Sequence, residues 1–201
     1  MKQGFVKVAS ATPRIRVADP VYNAQVICEQ AKEAAEHGAK IVVFPELCIT
    51  GYTCNDLFLQ ELLLEKAKEA LLTIAEETGQ LETLFLVGLP VDKDGRLYNV
   101  AAVLYRGRIL GMIPKKNIPM YAEFYEGRHF TPGEETVTEY RLGKQVIPFG
   151  SNLLFRCEEL PELILGCELC EDLWVAEPPS TSHALMGATV IANLSPSSET
   201  V

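Results

Sequence analysis

Apolar positions along the chain change their spacing several times. Residues 5–11 (FVKVASA) make a short β-type run closed by Pro13. Residues 21–37 place Val26, Ile27, Ala31, Ala34 and Ala35 on one face of a predicted helix. Gly38 stands where such a helix stops. Ile41, Val42, Val43 and Phe44 are apolar without alternation, as in a strand buried on both faces, and they run directly into Pro45 and Glu46. Residues 60–78 predict a second helix, with Leu63, Leu64, Ala67, Leu71, Ile74 and Ala75 inward. Residues 84–89 predict the next strand. Residues 97–105 and 108–113 predict a hairpin turned at Arg106 and Gly107.

The texture then changes. Residues 114–150 are rich in Pro, Gly, Glu and aromatic side chains and show little periodicity, so a long functional loop is expected there. Strand patterns return at residues 153–157 and 163–167. A short helix starts near Ser180 or Ser182 and ends at Gly187, and a last buried strand spans residues 189–194. Strands alternating with helices, plus a hairpin, predict one α/β domain with at least one mixed sheet. There is no internal repeat, low-complexity tract or linker. The chain stops at Val201 directly after a core strand, which points to a domain incomplete at its C-terminal end.

Composition narrows the function classes. The chain has 201 residues, enough for one domain, and 48% of them are hydrophobic. A formal net charge of -9 argues against a nucleic-acid binder or an acidic-membrane binder. The opening residues MKQGFVKVASATP lack the apolar run of a secretory signal, and no stretch of the sequence is long and apolar enough to span a membrane. Six cysteines without a secretory signal are expected to be thiols, and the cytoplasm is the expected address.

Three candidate residues share one position in the pattern. Glu46, Lys115 and Cys170 each lie just beyond a buried apolar strand, where α/β sheets collect their chemistry. A thiol nucleophile, a carboxylate to move its proton and an ammonium to hold an oxyanion would suit acyl transfer. A neighbouring cation is also expected to lower the thiol pKa. Taken singly, Glu46 reads as a solvated loop acid and Cys170 as a small core residue, while Lys116 competes with Lys115. Cys167 and Cys170 could also be a redox pair or half a zinc site. The acidic neighbours oppose redox use, and His37, His129 and His183 are scattered without ligand spacing.

The segments FPELCITGY (44–52), PKKNIPMYAEFYE (114–126) and CELCEDLW (167–174) resemble the three signature segments of the nitrilase superfamily. The resemblance implies an αββα sandwich and a Glu-Lys-Cys mechanism on non-peptide C–N bonds. Within the superfamily, TGYTCNDLF, YAEFYEGRHFTPG, CEDLW and ATVIANLSPSS are similar to the amino-terminal glutaminase domains of glutamine-dependent NAD synthetases. That narrower resemblance implies Glu46 as base, Lys115 as the family lysine, Cys170 as nucleophile and Glu123 as a second, supporting glutamate beside Lys115. It implies contacts to L-glutamine from Tyr121, Phe124, Glu171 and Ser197, and no role for Lys116. Ammonia would feed the ATP-dependent synthesis of NAD from deamido-NAD in a synthetase domain, where ATP and magnesium would be used. The glutaminase domain itself would need no cofactor and no metal, and homo-oligomers are implied. No Gly-rich pyrophosphate loop occurs in this chain. A stand-alone amidase or carbamoylase of the superfamily, or a catalytically inactive interaction module, would share the same segments. In space, Glu46, Lys115 and Cys170 are expected to converge, with Lys116 pointing away.

Overall fold

In the computed structural model, which describes residues 4–197, the two helical patterns become α1 (Pro20–Glu36) and α2 (Glu61–Glu77). Asp19 starts α1 by accepting the Tyr22 N–H at 3.1 Å, and Pro20 occupies a first-turn position where no N–H is needed. Gly38 follows α1 with φ +83°. Ala24, Ile27, Cys28 and Ala31 of α1 and Leu63, Ala67, Ala70, Leu71 and Ile74 of α2 form the buried stripes.

Both helices cover one face of a seven-stranded sheet made of β1 (Val8–Ser10), β2 (Ile41–Val43), β3 (Leu84–Lys93), β4 (Arg96–Tyr105), β5 (Arg108–Pro114), β6 (Thr138–Leu142) and β7 (Gln145–Phe149). Its order is β1-β2-β3-β4-β5-β7-β6, parallel at β1-β2-β3 and antiparallel at β3-β4-β5. A three-stranded sheet, β8 (Leu154–Arg156), β9 (Ile164–Leu169) and β10 (Val190–Leu194), packs on the opposite face, and α3 (Pro179–Leu185) lies against β9 from outside. The expected helix–sheet–sheet–helix layering is therefore present. The strand period of two makes it. Phe85, Val87 and Leu89 of β3 face α1 and α2, whereas Leu86 joins Ala101, Val103 and Ile113 against Leu165, Cys167, Leu169, Ala192 and Leu194 of the second sheet.

Two expectations are corrected. Strand β3 continues through Pro90 to Lys93 and turns at Asp94 and Gly95, whose φ of +54° and +73° suit a tight hairpin turn. The stretch 114–150 is not a loop throughout, because β6 and β7 form a hairpin at the end of the large sheet. That hairpin is short, and β7 bonds to β5 only at Met112–Phe149, so Pro148 interrupts no continuous β5–β7 ladder. The Arg106-Gly107 hairpin forms as expected. All six cysteines are free thiols. No helix among the described residues is long and apolar enough to cross a membrane.

One contact fixes the end of β2 against β3. Residues 45–50 fold into a turn over Gly88, where Cys48 Sγ accepts the Gly88 N–H at 3.4 Å and the Ile49 N–H reaches the Gly88 carbonyl at 3.1 Å. A Cβ on Gly88 would stand 2.3 Å from the Leu47 nitrogen and 2.8 Å from the Glu46 carbonyl carbon. Backbone cannot yield as a flexible side chain can. Gly88→Ala is expected to destabilise the fold by about 3 kcal/mol, the upper part of the usual overpacking range. Thermal unfolding of the purified variant checks this, and an unchanged melting temperature would contradict it.

Candidate active site

Glu46 sits in the turn after β2, and the next residue, Leu47, has φ +52°. The residue is 1% exposed, so it is not the solvated acid that its loop position suggests. Lys115 directly follows β5 and is fully buried, the end of a strand having carried it inward. Its backbone is held on both sides, by Lys115 N–H to the Asn99 carbonyl at 2.8 Å and by the Gly133 N–H to the Lys115 carbonyl at 2.7 Å. The Lys115 ammonium donates to Glu46 Oε1 and to Glu126 Oε1, each at 2.7 Å. A buried ammonium requires such acceptors, because lost hydration is otherwise uncompensated.

The second carboxylate is thus Glu126 and not Glu123. Glu123 is exposed, and Ala122 just before it has φ +50°. Glu126 begins a 3₁₀ turn, Glu126–Arg128, that aims its side chain inward to 5% exposure. Tyr52 O–H donates to Glu126 at 2.8 Å, and Asn99 Nδ2 bridges Glu46 Oε1 at 2.5 Å and Glu126 Oε2 at 3.3 Å. Both glutamates lie inside the segment quoted from 114–126, so counting along an aperiodic stretch could not separate them. Asn99 lies mid-strand in an apolar run, and that single buried amide was the only signal available for it.

Cys170 opens a 3₁₀ turn, Cys170–Leu173, at the end of β9 and has φ +41°, a backbone state disfavoured for a residue with a side chain. Asp172 stabilises the turn and connects it to the lysine segment. It accepts the Leu169 N–H at 3.1 Å, the Asn117 N–H at 2.7 Å, the Asn117 side-chain amide at 2.9 Å and the Lys116 N–H at 3.2 Å. The nucleophile candidate and the lysine candidate are therefore tied through a buried carboxylate that sequence reasoning passed over. Lys116 turns its own side chain out to pair with Glu135.

The electrostatics differ from expectation in one respect. Burial raises the Cys170 thiol pKa, the Glu46 charge raises it further, and the Ser195 hydrogen bond and the Lys115 charge only partly offset them. The cation therefore does not leave a resting thiolate. Glu46 is likewise raised by burial, with Lys115 lowering it and the Glu126 charge raising it again. Two carboxylates share one ammonium in a dry site, so the first proton to arrive goes to a carboxylate. Glu46 Oε2 is buried and has no hydrogen-bond partner among the described residues. It is a free acceptor of the cluster, as is Asn99 Oδ1.

The residues implied as glutamine contacts lie around this centre. Tyr121 O–H donates to Glu171 Oε2 at 2.7 Å, and the Tyr121 and Phe124 rings meet edge to face at 5.5 Å. Ser197 lies 2.5 Å from Ser195, whose hydroxyl is 3.4 Å from Cys170 Sγ. No group of three or more His, Cys, Asp or Glu among the described residues could hold a metal ion.

Comparison with known proteins gives the class first. The profile of the carbon-nitrogen hydrolase family matches residues 7–201, so the chain belongs to that family. More particularly, it is 42% identical over its whole length to the glutamine-dependent NAD(+) synthetase of Mycobacterium tuberculosis, and it spans 30% of that protein. It is 34% identical over 98% of its length to the enzyme of the same name from Thermotoga maritima, spanning 31% of it. The crystal structure of a glutamine-dependent NAD(+) synthetase from Cytophaga hutchinsonii superposes with a TM-score of 0.84 at 29% identity, covering 96% of this chain and 30% of that one. An amidase from Nesterenkonia sp. AN1 shares the fold, with a TM-score of 0.73 at 20% identity over 94% of this chain and 64% of its own. The chain is a carbon-nitrogen hydrolase domain homologous to part of the glutamine-dependent NAD synthetases.

The role of Glu126 has a direct test. Its charge raises the Glu46 pKa, so Glu126→Gln is expected to lower that pKa, whereas Glu123→Gln leaves it in place. Carbon-13 NMR titration of the glutamate carboxyl carbons measures both, and a Glu46 titration moved only by Glu123→Gln would restore the other assignment.

Proposed function

We propose that this domain hydrolyses the side-chain amide of L-glutamine through a thioester on Cys170 and delivers ammonia to an ATP-dependent synthetase part of the whole protein. There, with ATP and magnesium, the ammonia converts deamido-NAD to NAD in the cytoplasm. The observation that carries the mechanism is the buried ammonium of Lys115 between Glu46 and Glu126, with Glu46 Oε2 left free and the Cys170 thiol under the charge of all three.

Catalysis then runs as follows. Glu46 Oε2 takes the thiol proton as Cys170 Sγ forms its bond to the amide carbon. Lys115 has spent two of its three N–H donors on Glu46 and Glu126, and the third joins the Glu171 backbone N–H in holding the oxyanion. The tetrahedral intermediate collapses, the C–N bond breaks, and Glu46 returns its proton to the departing nitrogen as ammonia. Water, deprotonated in turn by Glu46, cleaves the thioester to release glutamate and restore the thiol. A resting thiol suits this sequence, because the proton that Glu46 removes is the one the leaving group needs. Glutamine as substrate is supported by the 42% identity to a glutamine-dependent enzyme and by the Glu171 carboxylate beside Tyr121, which suits an α-ammonium group.

In the intact protein, Cys170→Ala is expected to abolish glutamine-supported NAD synthesis and leave ammonia-supported synthesis unchanged. Lys115→Met should lower the glutamine-dependent rate on the order of 10²–10³-fold, as loss of an oxyanion donor does. Glu46 must be ionised to act as base and its pKa is raised, so activity falls as pH drops through a midpoint well above the ordinary value of 4.5. A Cys170→Ala protein that still used glutamine at the wild-type rate would overturn the proposal.

A further inference from the structure

Strand β10 approaches the nucleophile turn at two points. Asn193 pairs in register with Glu168 of β9, and its side-chain amide lies 3.4 Å from both the Glu168 carboxylate and the Cys170 carbonyl. Two residues on, Ser195 Oγ stands 3.4 Å from Cys170 Sγ. The first contact holds the backbone of a residue at φ +41°, and the second reaches its reactive atom.

The surroundings of Ser195 Oγ orient its single proton. A hydroxyl offers one donor and two acceptor sites. The Ser197 N–H donates to Ser195 Oγ at 3.2 Å, and the Ser197 hydroxyl lies 2.5 Å away. When the Ser197 hydroxyl donates to Ser195 Oγ, both acceptor sites of Ser195 are filled and its O–H is left for the sulfur, the direction the 3.4 Å contact takes. The other groups acting on Cys170 are Glu46 and Glu126, which oppose a thiolate, and Lys115, which favours one but is engaged with both carboxylates. The Tyr52 and Tyr121 phenols also sense the thiol, each bonded to a carboxylate of its own. Ser195 is the neutral donor aimed at sulfur.

We infer that Ser195 is a positioning residue for Cys170: its hydroxyl hydrogen-bonds the sulfur, fixes the thiol's orientation and supports the negative charge that develops as the S–H proton passes to Glu46. Ser195 itself exchanges no proton. The inference rests on the proposed use of Cys170 as nucleophile, but its test does not require glutamine to be the substrate. Through the Ser195–Ser197 pair, a substrate group that engages the Ser197 hydroxyl would also reach the sulfur.

The experiment is the pH dependence of Cys170 alkylation by iodoacetamide in the intact protein, with the Cys170 adduct followed by mass spectrometry. A hydrogen bond to a charged atom is commonly worth about a tenfold change in an equilibrium. Ser195→Ala is therefore expected to move the alkylation midpoint upward by roughly one pH unit, and to slow alkylation at neutral pH by about tenfold. With glutamine, kcat should fall and KM hold. Ser195→Thr keeps the hydroxyl and should restore the midpoint, whereas Ser195→Val, of the same shape, should behave like Ser195→Ala. That pair decides the matter if the alanine variant does not fold. An unmoved midpoint in both Ser195→Ala and Ser195→Val, or equal behaviour of the Thr and Val variants, overturns the inference. A wild-type protein that does not hydrolyse glutamine yet shows the expected thiol titrations would overturn the proposed reaction and leave Ser195 in its role.

Discussion

A lysine ammonium without water is the constraint around which this site is arranged. Lys115 is fully buried, and a charge in that position survives only if its donors find acceptors of opposite charge. Glu46 and Glu126 supply them from two separate segments, one after β2 and the other in a 3₁₀ turn after β5. Two carboxylates bring more negative charge than one ammonium cancels. Burial raises the proton affinity of Glu46, with the Lys115 charge opposing it and the Glu126 charge adding to it, and burial together with the Glu46 charge suppresses ionisation of the nearby thiol. The same cluster that folding must tolerate leaves Glu46 readier to hold a proton and the Cys170 thiol slower to lose one.

The double-sheet architecture delivers these groups to one place. The large sheet supplies the strand ends that carry Glu46 and Lys115, and the small sheet supplies β9 and β10, which carry Cys170 and Ser195. Apolar packing between Leu86, Ala101, Val103 and Ile113 on one side and Leu165, Cys167 and Leu169 on the other sets the distance between the sheets. Asp172 then couples them through hydrogen bonds, accepting from the Cys170 turn and from the residues after Lys115. Close packing makes such a frame rigid, so a positive φ at Cys170 can be maintained where an isolated turn would relax.

Much of the frame was legible in the chain itself. The α1 and α2 stripes, the all-apolar run at residues 41–44 and the Arg106-Gly107 turn are local patterns whose physical meaning does not depend on distant residues. The β6–β7 hairpin was not legible, since a few alternating residues around Gly143 resemble a polar loop until a sheet end gives their backbone a partner. The β3–β4 turn at Asp94 and Gly95 was also missed, because the strand predicted over residues 84–89 stopped short of it. At the site, Glu46, Lys115 and Cys170 stood out at strand ends, but no local signal said that their charges would act on one another.

The amino-acid sequence by itself determined the period of each element, the residue types available at each strand end and the signature segments that place the chain among carbon-nitrogen hydrolases. Tertiary structure alone decided which acid would serve Lys115. Glu123 and Glu126 carry the same side chain three residues apart, and only the inward turn at Glu126 buries one while leaving the other in water. It likewise decided that the cation would not ionise Cys170, because burial and the field of two carboxylates depend on what surrounds the thiol in space. Asn99, Asp172 and Ser195 acquire their places for the same reason. A polar side chain has no partner in a sequence, and it gains one only when the chain closes around it.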